Sequence, residues 1–220
     1  MRIEVIRIIT VEREFGCGAA MIAATLAERL GWKLWDQELT QAIANEAHVD
    51  CSEVERHEER VDSRLYRLAK VFWRGSYERG TPLTTSQAFD ADCMMRMMKG
   101  ILDRIAEQGN AVIVGRGSPY LLRERTDAFH VFMYAPRQEK IRRLIQSGKS
   151  SREAEDLVDN VDHERIAYIK HYFNADWPTR TLYHLMINTG MGDDSVIETV
   201  IRTMNLLDVN APRTPLTERT

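Results

Sequence analysis

Residues 6–31, IRIITVEREFGCGAAMIAATLAERLG, restrict the possible folds more than any other part of the chain. Ile6, Ile8, Ile9 and Val11 form a short β-branched run, the pattern of a strand buried on both faces. A turn, EREFGCGAA, follows with glycines at 16 and 18. Beyond it Ile22, Ala23, Leu26, Ala27 and Leu30 recur at helical spacing, and Gly31 stands where a helix C-terminal cap belongs. A strand, a glycine turn and a helix in this order aim free backbone N–H groups and the positive end of a helix dipole at an anion, usually a phosphate. Without a Cβ, Gly16 and Gly18 let the backbone approach such a ligand closely.

The loop departs from the common phosphate-binding pattern GxxxxGK[ST], in which lysine reaches the outer phosphates and a hydroxyl holds magnesium. With Gly18 on the last glycine, Arg13 falls on the first, Ala19 on the lysine, and Ala20 or Met21 on the hydroxyl. The amides of Gly16, Cys17, Gly18, Ala19 and Ala20 keep the cradle, but its cation and metal hydroxyl are gone. From these residues alone, an ordinary strand-to-helix turn is an equal alternative.

Downstream, Trp32, Leu34 and Trp35 predict a second strand ending at Asp36, which then either caps a helix or lines a site. Residues 51–79 carry one apolar stripe (Val54, Val61, Leu65, Leu68, Phe72) on a charged amphipathic helix. A basic and aromatic patch there, from Tyr66 to Arg79, is either half-buried packing or a grip for nucleic acid or a base. Residues 88–109 read as a helix rich in core methionines. Residues 111–114 read as a buried strand leading into Gly115-Arg116-Gly117, and residues 128–136 as another strand. A helix starts at Arg137, a polar mobile flap is expected over 147–162, and a further helix carries Asp162 and Arg165. The last strand is expected near 183–190, the last helix after a cap at Asp193 or Asp194, and a disordered tail from 208 to 220.

Strands alternating with helices predict an α/β fold with a mainly parallel sheet and helices on both faces. Ligands of such sheets bind at the carboxyl ends of the strands. The glycine turn, Asp36 and Gly115-Arg116-Gly117 all fall at that edge. A net charge of −3 argues against broad charge-driven nucleic-acid binding. No apolar run is long enough to span a membrane, and the first residues lack a signal-peptide pattern. The three cysteines (Cys17, Cys51, Cys93) form neither a disulfide framework nor a zinc pattern, and no metal site is expected. A cytoplasmic location is expected, and a homo-oligomer is left open.

With these residues in view, the chain resembles the cytidylate kinase-like family, divergent relatives of bacterial cytidylate kinases among P-loop nucleoside monophosphate kinases. TVEREFGCGAAMIAATLAERLG is similar to that family's S-R-E-[FY]-G-S-G-G opening and helix, LWDQEL to its YDKEL, and NAVIVGRGSPYLL to its VIVGRG segment. FHVFMYAPRQEKIRR, DHERIAYIKHYFNADW and YHLMINTG resemble its later segments. The resemblance implies a three-layer P-loop kinase fold: one domain over residues 1–207, with a helical acceptor-side insert near 45–100 and a lid near 146–165.

It also implies an ATP-dependent kinase acting on CMP, dCMP or a related small acceptor, with Mg2+ held by phosphates and water rather than by a loop hydroxyl. Gly16, Cys17, Gly18, Ala19 and Ala20 would hold the donor phosphates, and Arg142 and Arg143 would lie near them. Asp36, Arg116, Asp162 and Arg165 would line the acceptor site. Cytidylate kinases read cytosine with an aspartate just after the Gly-Arg pair, and here that position is Gly117.

Phosphoryl transfer needs in-line positioning and positive charge on the equatorial oxygens. A substitute for the missing lysine is therefore sought among Arg13, Arg116, Arg142, Arg143, Arg165 and Lys170, with Arg13, Arg116 and Arg165 as the catalytic candidates. The alternative is a nucleotide or phosphate sensor that kept the cradle and lost catalysis.

Overall fold

The computed structural model of the chain describes residues 5–36, 38–39, 42 and 91–207. The charged helix expected over 51–79, its basic and aromatic patch, and the expected tail at 208–220 lie outside the described residues. Among the described residues five strands, β1 (Ile8–Arg13), β2 (Lys33–Trp35), β3 (Ala111–Val114), β4 (Ala128–Tyr134) and β5 (Leu185–Asn188), form one sheet in the order β2-β3-β1-β4-β5. Every pairing is parallel. Parallel neighbours need crossovers, and the crossovers carry helices: α1 (Ala19–Leu30), α2 (Ala91–Gln108), α3 (Ser118–Leu121), α4 (Arg137–Gln146) and α5 (Ser151–Phe173); α6 (Asp193–Leu207) follows the last strand.

Alternation along the strands divides the core between two faces. Ile9, Val11, Val112, Val114, Phe129, Val131 and Met133 pack with α1 and α6. Ile8, Ala111, Ile113 and Ala128 point the other way, onto α2, Tyr120 and the end of α5. β1, central in the sheet, is therefore buried at all six positions, as the β-branched run predicts. The result is a three-layer α/β fold with its glycine turn at the middle of the sheet's carboxyl edge.

Three expectations need correction. β1 runs on to Arg13, so Glu12 and Arg13 belong to the sheet and not to the turn. The flap expected over 147–162 is instead largely the first half of the 23-residue α5. Ser150 caps that helix by accepting the Glu153 N–H at 3.2 Å, and Ala154, Val158 and Val161 bury a stripe against Phe15 and Leu144. The polarity of the segment belongs to its exposed face. Lastly, α6 starts at Asp193, and neither acid is its cap: Asp193 pairs with Arg143 at 3.0 Å and Asp194 with Arg29 at 2.7 Å.

One buried polar contact makes stability depend on pH. His130 is 2% exposed in β4, its Nδ1 lies 2.7 Å from Thr10 Oγ1, and its ring stacks on His184 at 5.2 Å. Burial, reinforced by His184, pulls its pKa down to about 4. Folded His130 is thus neutral where the unfolded chain still takes a proton at its ordinary pKa of about 6.5. Stability is complete above that value and falls as pH drops toward 4, by up to about 1.4 kcal/mol per pH unit. Urea unfolding between pH 7 and 5.5 should show this slope, and His130→Gln should flatten it.

Candidate phosphate-binding site

The glycine turn is fixed from three sides. Gly16 and Gly18 have φ of +76° and +82°, which a side chain would strain. Phe15, in front of them, is buried against Leu144, Ala154, Val158 and Val161. The Cys17 thiol is fully buried 3.6 Å from the Met133 carbonyl and serves as packing. The Cys17 carbonyl accepts from Thr189 Oγ1 at 2.6 Å and from Arg143 Nη1 at 3.1 Å. Met21, on α1, is half-exposed. Beyond Gly18 the first amides of α1 have no intrahelical acceptors, as in any helix.

On the opposite flank α5 clamps the loop through one ion pair. Arg165 Nη1 donates to the Arg13 carbonyl at 2.7 Å and to Asp162 Oδ1 at 3.0 Å. The same Asp162 oxygen accepts the Phe15 N–H at 2.9 Å. Lys140, 8% exposed on α4, sets its Nζ 3.0 Å from Glu14 Oε2 and 3.6 Å from Asp162 Oδ2. Both partners of the Asp162–Arg165 pair are almost withdrawn from water, so breaking it costs about 3–5 kcal/mol, against under about 1 kcal/mol for an exposed pair such as Arg137–Asp159.

The in-register pairing of β1 with β3 ends at Val11 and Val114, which sets Glu12 and Arg13 level with Gly115 and Arg116. Residues 115–117 turn with three positive φ values, +69°, +64° and +65°. A Cβ on Gly115 would fall 2.2 Å from Arg13 Nη1, and one on Gly117 2.8 Å from the Phe173 ring. The turn thus admits an arginine on one side and an aromatic on the other. Phe173 in turn stacks on Tyr120 at 4.9 Å.

Three arginines and a carboxylate are buried together as a result: Arg13, Arg116, Arg165 and Glu12 are all under 9% exposed. Burial, then the nearby Arg13, pulls the Arg116 guanidinium down to about 10, while Asp36 opposes the shift. Arg165 is lowered by the same two causes in the same order. Burial raises the Glu12 carboxyl, with Arg13 and Arg165 working against it. Like charges that depress one another mark a place where an anion would be welcome.

Most of the expected site residues meet here. Arg13, Arg116, Arg165, Asp162 and the amides of Gly16, Cys17, Gly18, Ala19 and Ala20 share the carboxyl edge of β1 and β3, and Asp36 acts on Arg116 from the end of β2. Arg143 reaches the loop, but through the carbonyls of Cys17 and Thr189. Arg142 does not reach it: it is exposed and forked onto Glu139. Lys170 is exposed as well, 3.6 Å from Asp176. Sequence reasoning missed Glu12, Lys140 and Thr189. Lys140 lies one helical turn before Arg143, so a face shared by the two was open to inspection.

The chain matches the model of the cytidylate kinase-like family over residues 8–191. Among solved structures, an uncharacterised protein from Eubacterium ventriosum ATCC 27560 superposes with a TM-score of 0.62 at 19% identity, over 90% of this chain and 97% of that one. A gluconokinase from Sinorhizobium meliloti 1021 superposes at 0.52 and 14% identity, over 96% and 97% of the two chains. No curated protein matches the sequence significantly. The fold is that of the P-loop kinases.

Gly18 tests the geometry of the turn. A Cβ there would sit 1.8 Å from Arg143 Nη1 and strain the backbone. Gly18→Ala is expected to cost at least about 1–2 kcal/mol in chemical denaturation. Gly31→Ala pays only the backbone part, because a Cβ at Gly31 meets nothing within 4 Å. A larger loss at Gly18 than at Gly31 would show that Arg143 is held against the turn by its bonds to Cys17, Thr189 and Asp193, and equal losses would show that it swings clear of the added methyl.

Proposed function

The chain belongs to the cytidylate kinase-like family of kinase-like phosphotransferases, and from that premise we propose that it moves the γ-phosphate of ATP to a nucleoside monophosphate, CMP or dCMP among the candidates. The observation that carries this reading is the burial of Arg13, Arg116 and Arg165 together beside a glycine turn at the sheet's carboxyl edge. A turn with two left-handed glycines suits a phosphate chain, and the guanidiniums supply the charge that Ala19 does not. No hydroxyl follows Gly18 in the loop, so Mg2+ would be held by phosphates and water, neutralising oxygen charge.

In this reading the amides of Gly16 to Ala20 hold the donor phosphates. Arg116 and Arg165 fork onto the acceptor phosphate, Arg13 lies between donor and acceptor, and Asp36 serves the acceptor site. An acceptor phosphate oxygen attacks the γ-phosphorus, the bond to the β–γ bridging oxygen breaks, and ADP leaves with that electron pair. Asp162 acts by orienting Arg165 and the loop, since its carboxylate is bonded to both. Residues 146–165 are proposed as the lid, which would move with the first half of α5 and carry the Asp162 and Arg165 contacts to the loop.

The loop alanine favours a second reading, a sensor that binds nucleotide or phosphate without turning it over. ADP formation from Mg2+-ATP across CMP, dCMP, UMP, AMP and GMP separates the two. Turnover with at least one acceptor is expected, and Arg116→Ala should lower kcat/KM by about 100-fold or more with unchanged circular dichroism. Absence of product with every acceptor would overturn the kinase reading, and calorimetric ATP binding without product would establish the sensor.

A further inference from the structure

The amides of the glycine turn give donor phosphates hydrogen bonds but no cation from the loop itself. Ala19 carries no charge. Arg143 touches the turn, but its guanidinium is spent on the carbonyls of Cys17 and Thr189 and the carboxylates of Glu139 and Asp193.

Lys140 also lies against the turn. A Cβ on Gly16 would meet Lys140 Cβ at 3.3 Å and the Lys140 carbonyl at 3.4 Å, so the lysine stem begins beside the glycine backbone. Its ammonium lies 3.0 Å from Glu14 Oε2 and 3.6 Å from Asp162 Oδ2, and only the first is a hydrogen bond. An ammonium has three N–H donors. Two of them therefore have no hydrogen-bond acceptor among the described residues, on a residue only 8% exposed. Buried donors without acceptors are costly, and they mark a place where a partner is missing.

The two carboxylates hold the ammonium unequally. Asp162 is engaged elsewhere, accepting the Phe15 N–H at 2.9 Å and Arg165 Nη1 at 3.0 Å. Glu14 is the looser partner, with its side chain 28% exposed against 16% for Asp162. An ammonium that leaves Glu14 returns a carboxylate that water already reaches, and pairs open to water contribute little. A phosphate oxygen offers it a more highly charged acceptor. Lysine suits such an exchange because it is a point charge on a flexible four-carbon stem.

Resting on the kinase reading of the site, we infer that Lys140 is the cation of the donor phosphates: Glu14 holds its ammonium while the turn is empty, and the ammonium moves to a β- or γ-phosphate oxygen when ATP binds. The charge absent at Ala19 is thus supplied from α4. Asp162 keeps its bonds to Arg165 and the Phe15 amide throughout, so the turn stays fixed while the lysine changes partners.

Isothermal titration of the full chain with Mg2+-ATP and, separately, with CMP tests this. Lys140→Met is expected to raise the Kd for ATP at least ~10-fold, the loss of one charge-assisted hydrogen bond, and to leave the Kd for CMP unchanged. Glu14→Gln removes the holder, and ATP is expected to bind that variant as tightly as the wild type or more tightly. A Glu14–Lys140 pair that served only as a strut would weaken ATP binding alike in both variants. Should Lys140→Met fail to fold, the nitrogen-15 resonance of the wild-type Lys140 ammonium, assigned with Lys140→Arg, is expected to shift with Mg2+-ATP and not with CMP. An unmoved resonance, an ATP Kd unchanged in Lys140→Met or raised equally in both variants, or a CMP Kd raised alongside it overturns the inference, while the kinase reading stands on its own product assay. Weaker ATP binding in Lys140→Met with no product from the wild type supports the inference and overturns the kinase reading in favour of the sensor. Failure of ATP to bind the wild type overturns both.

Discussion

Two hydrogen bonds from one helix hold the structure's working edge in place. Arg165 takes the carbonyl of Arg13, Asp162 takes the N–H of Phe15, and the two side chains bond to each other. They grip the backbone on both sides of Glu14, where the central strand becomes the glycine turn. Each bond is made by a charged group withdrawn from water, where such bonds are strongest and their loss most expensive. The position of α5, the burial of Phe15 and the course of the turn toward α1 all follow from this grip.

The same grip brings Arg165 to Arg13 and Arg116, and so concentrates positive charge where sheet topology places a ligand. In the usual loop a lysine supplies that charge from within. Here Ala19 cannot, and guanidiniums arrive from the end of β1, the turn after β3 and the middle of α5. Arginine suits the exchange because it stays charged under burial that would discharge a lysine, and its planar fork matches phosphate oxygens. Distribution over three elements gathers like charges in one buried place, and Asp162 offsets part of that repulsion through its ion pair with Arg165.

Much of this architecture was legible in the sequence because it rests on periodicity and on glycine. β3 and α6 fall on the residues their apolar patterns predict, since a strand buried on both faces and an amphipathic helix leave direct signatures. Gly31 was readable as a helix C-terminal cap, and it takes the left-handed conformation that such a cap uses. The helix over 151–162 was not, because its few apolar contacts are spread among charges, and their partner Phe15 lies far away in sequence. Glu12 and Lys140 were hidden for a related reason. A charged residue in a charged segment reads as surface, and only register beside β3 and the packing of α4 on the loop reveal that these two are buried. Arg142 and Arg143 are adjacent and chemically alike; the turn of α4 alone sends one into solvent and the other to the loop.

A crystal structure with a non-hydrolysable ATP analogue and CMP bears most directly on the claim that backbone amides and borrowed arginines together replace the lysine. The triphosphate should lie on the amides of residues 16–20, with the CMP phosphate against Arg116 and Arg165. A triphosphate bound away from that turn, or a CMP phosphate out of reach of both arginines, would contradict it.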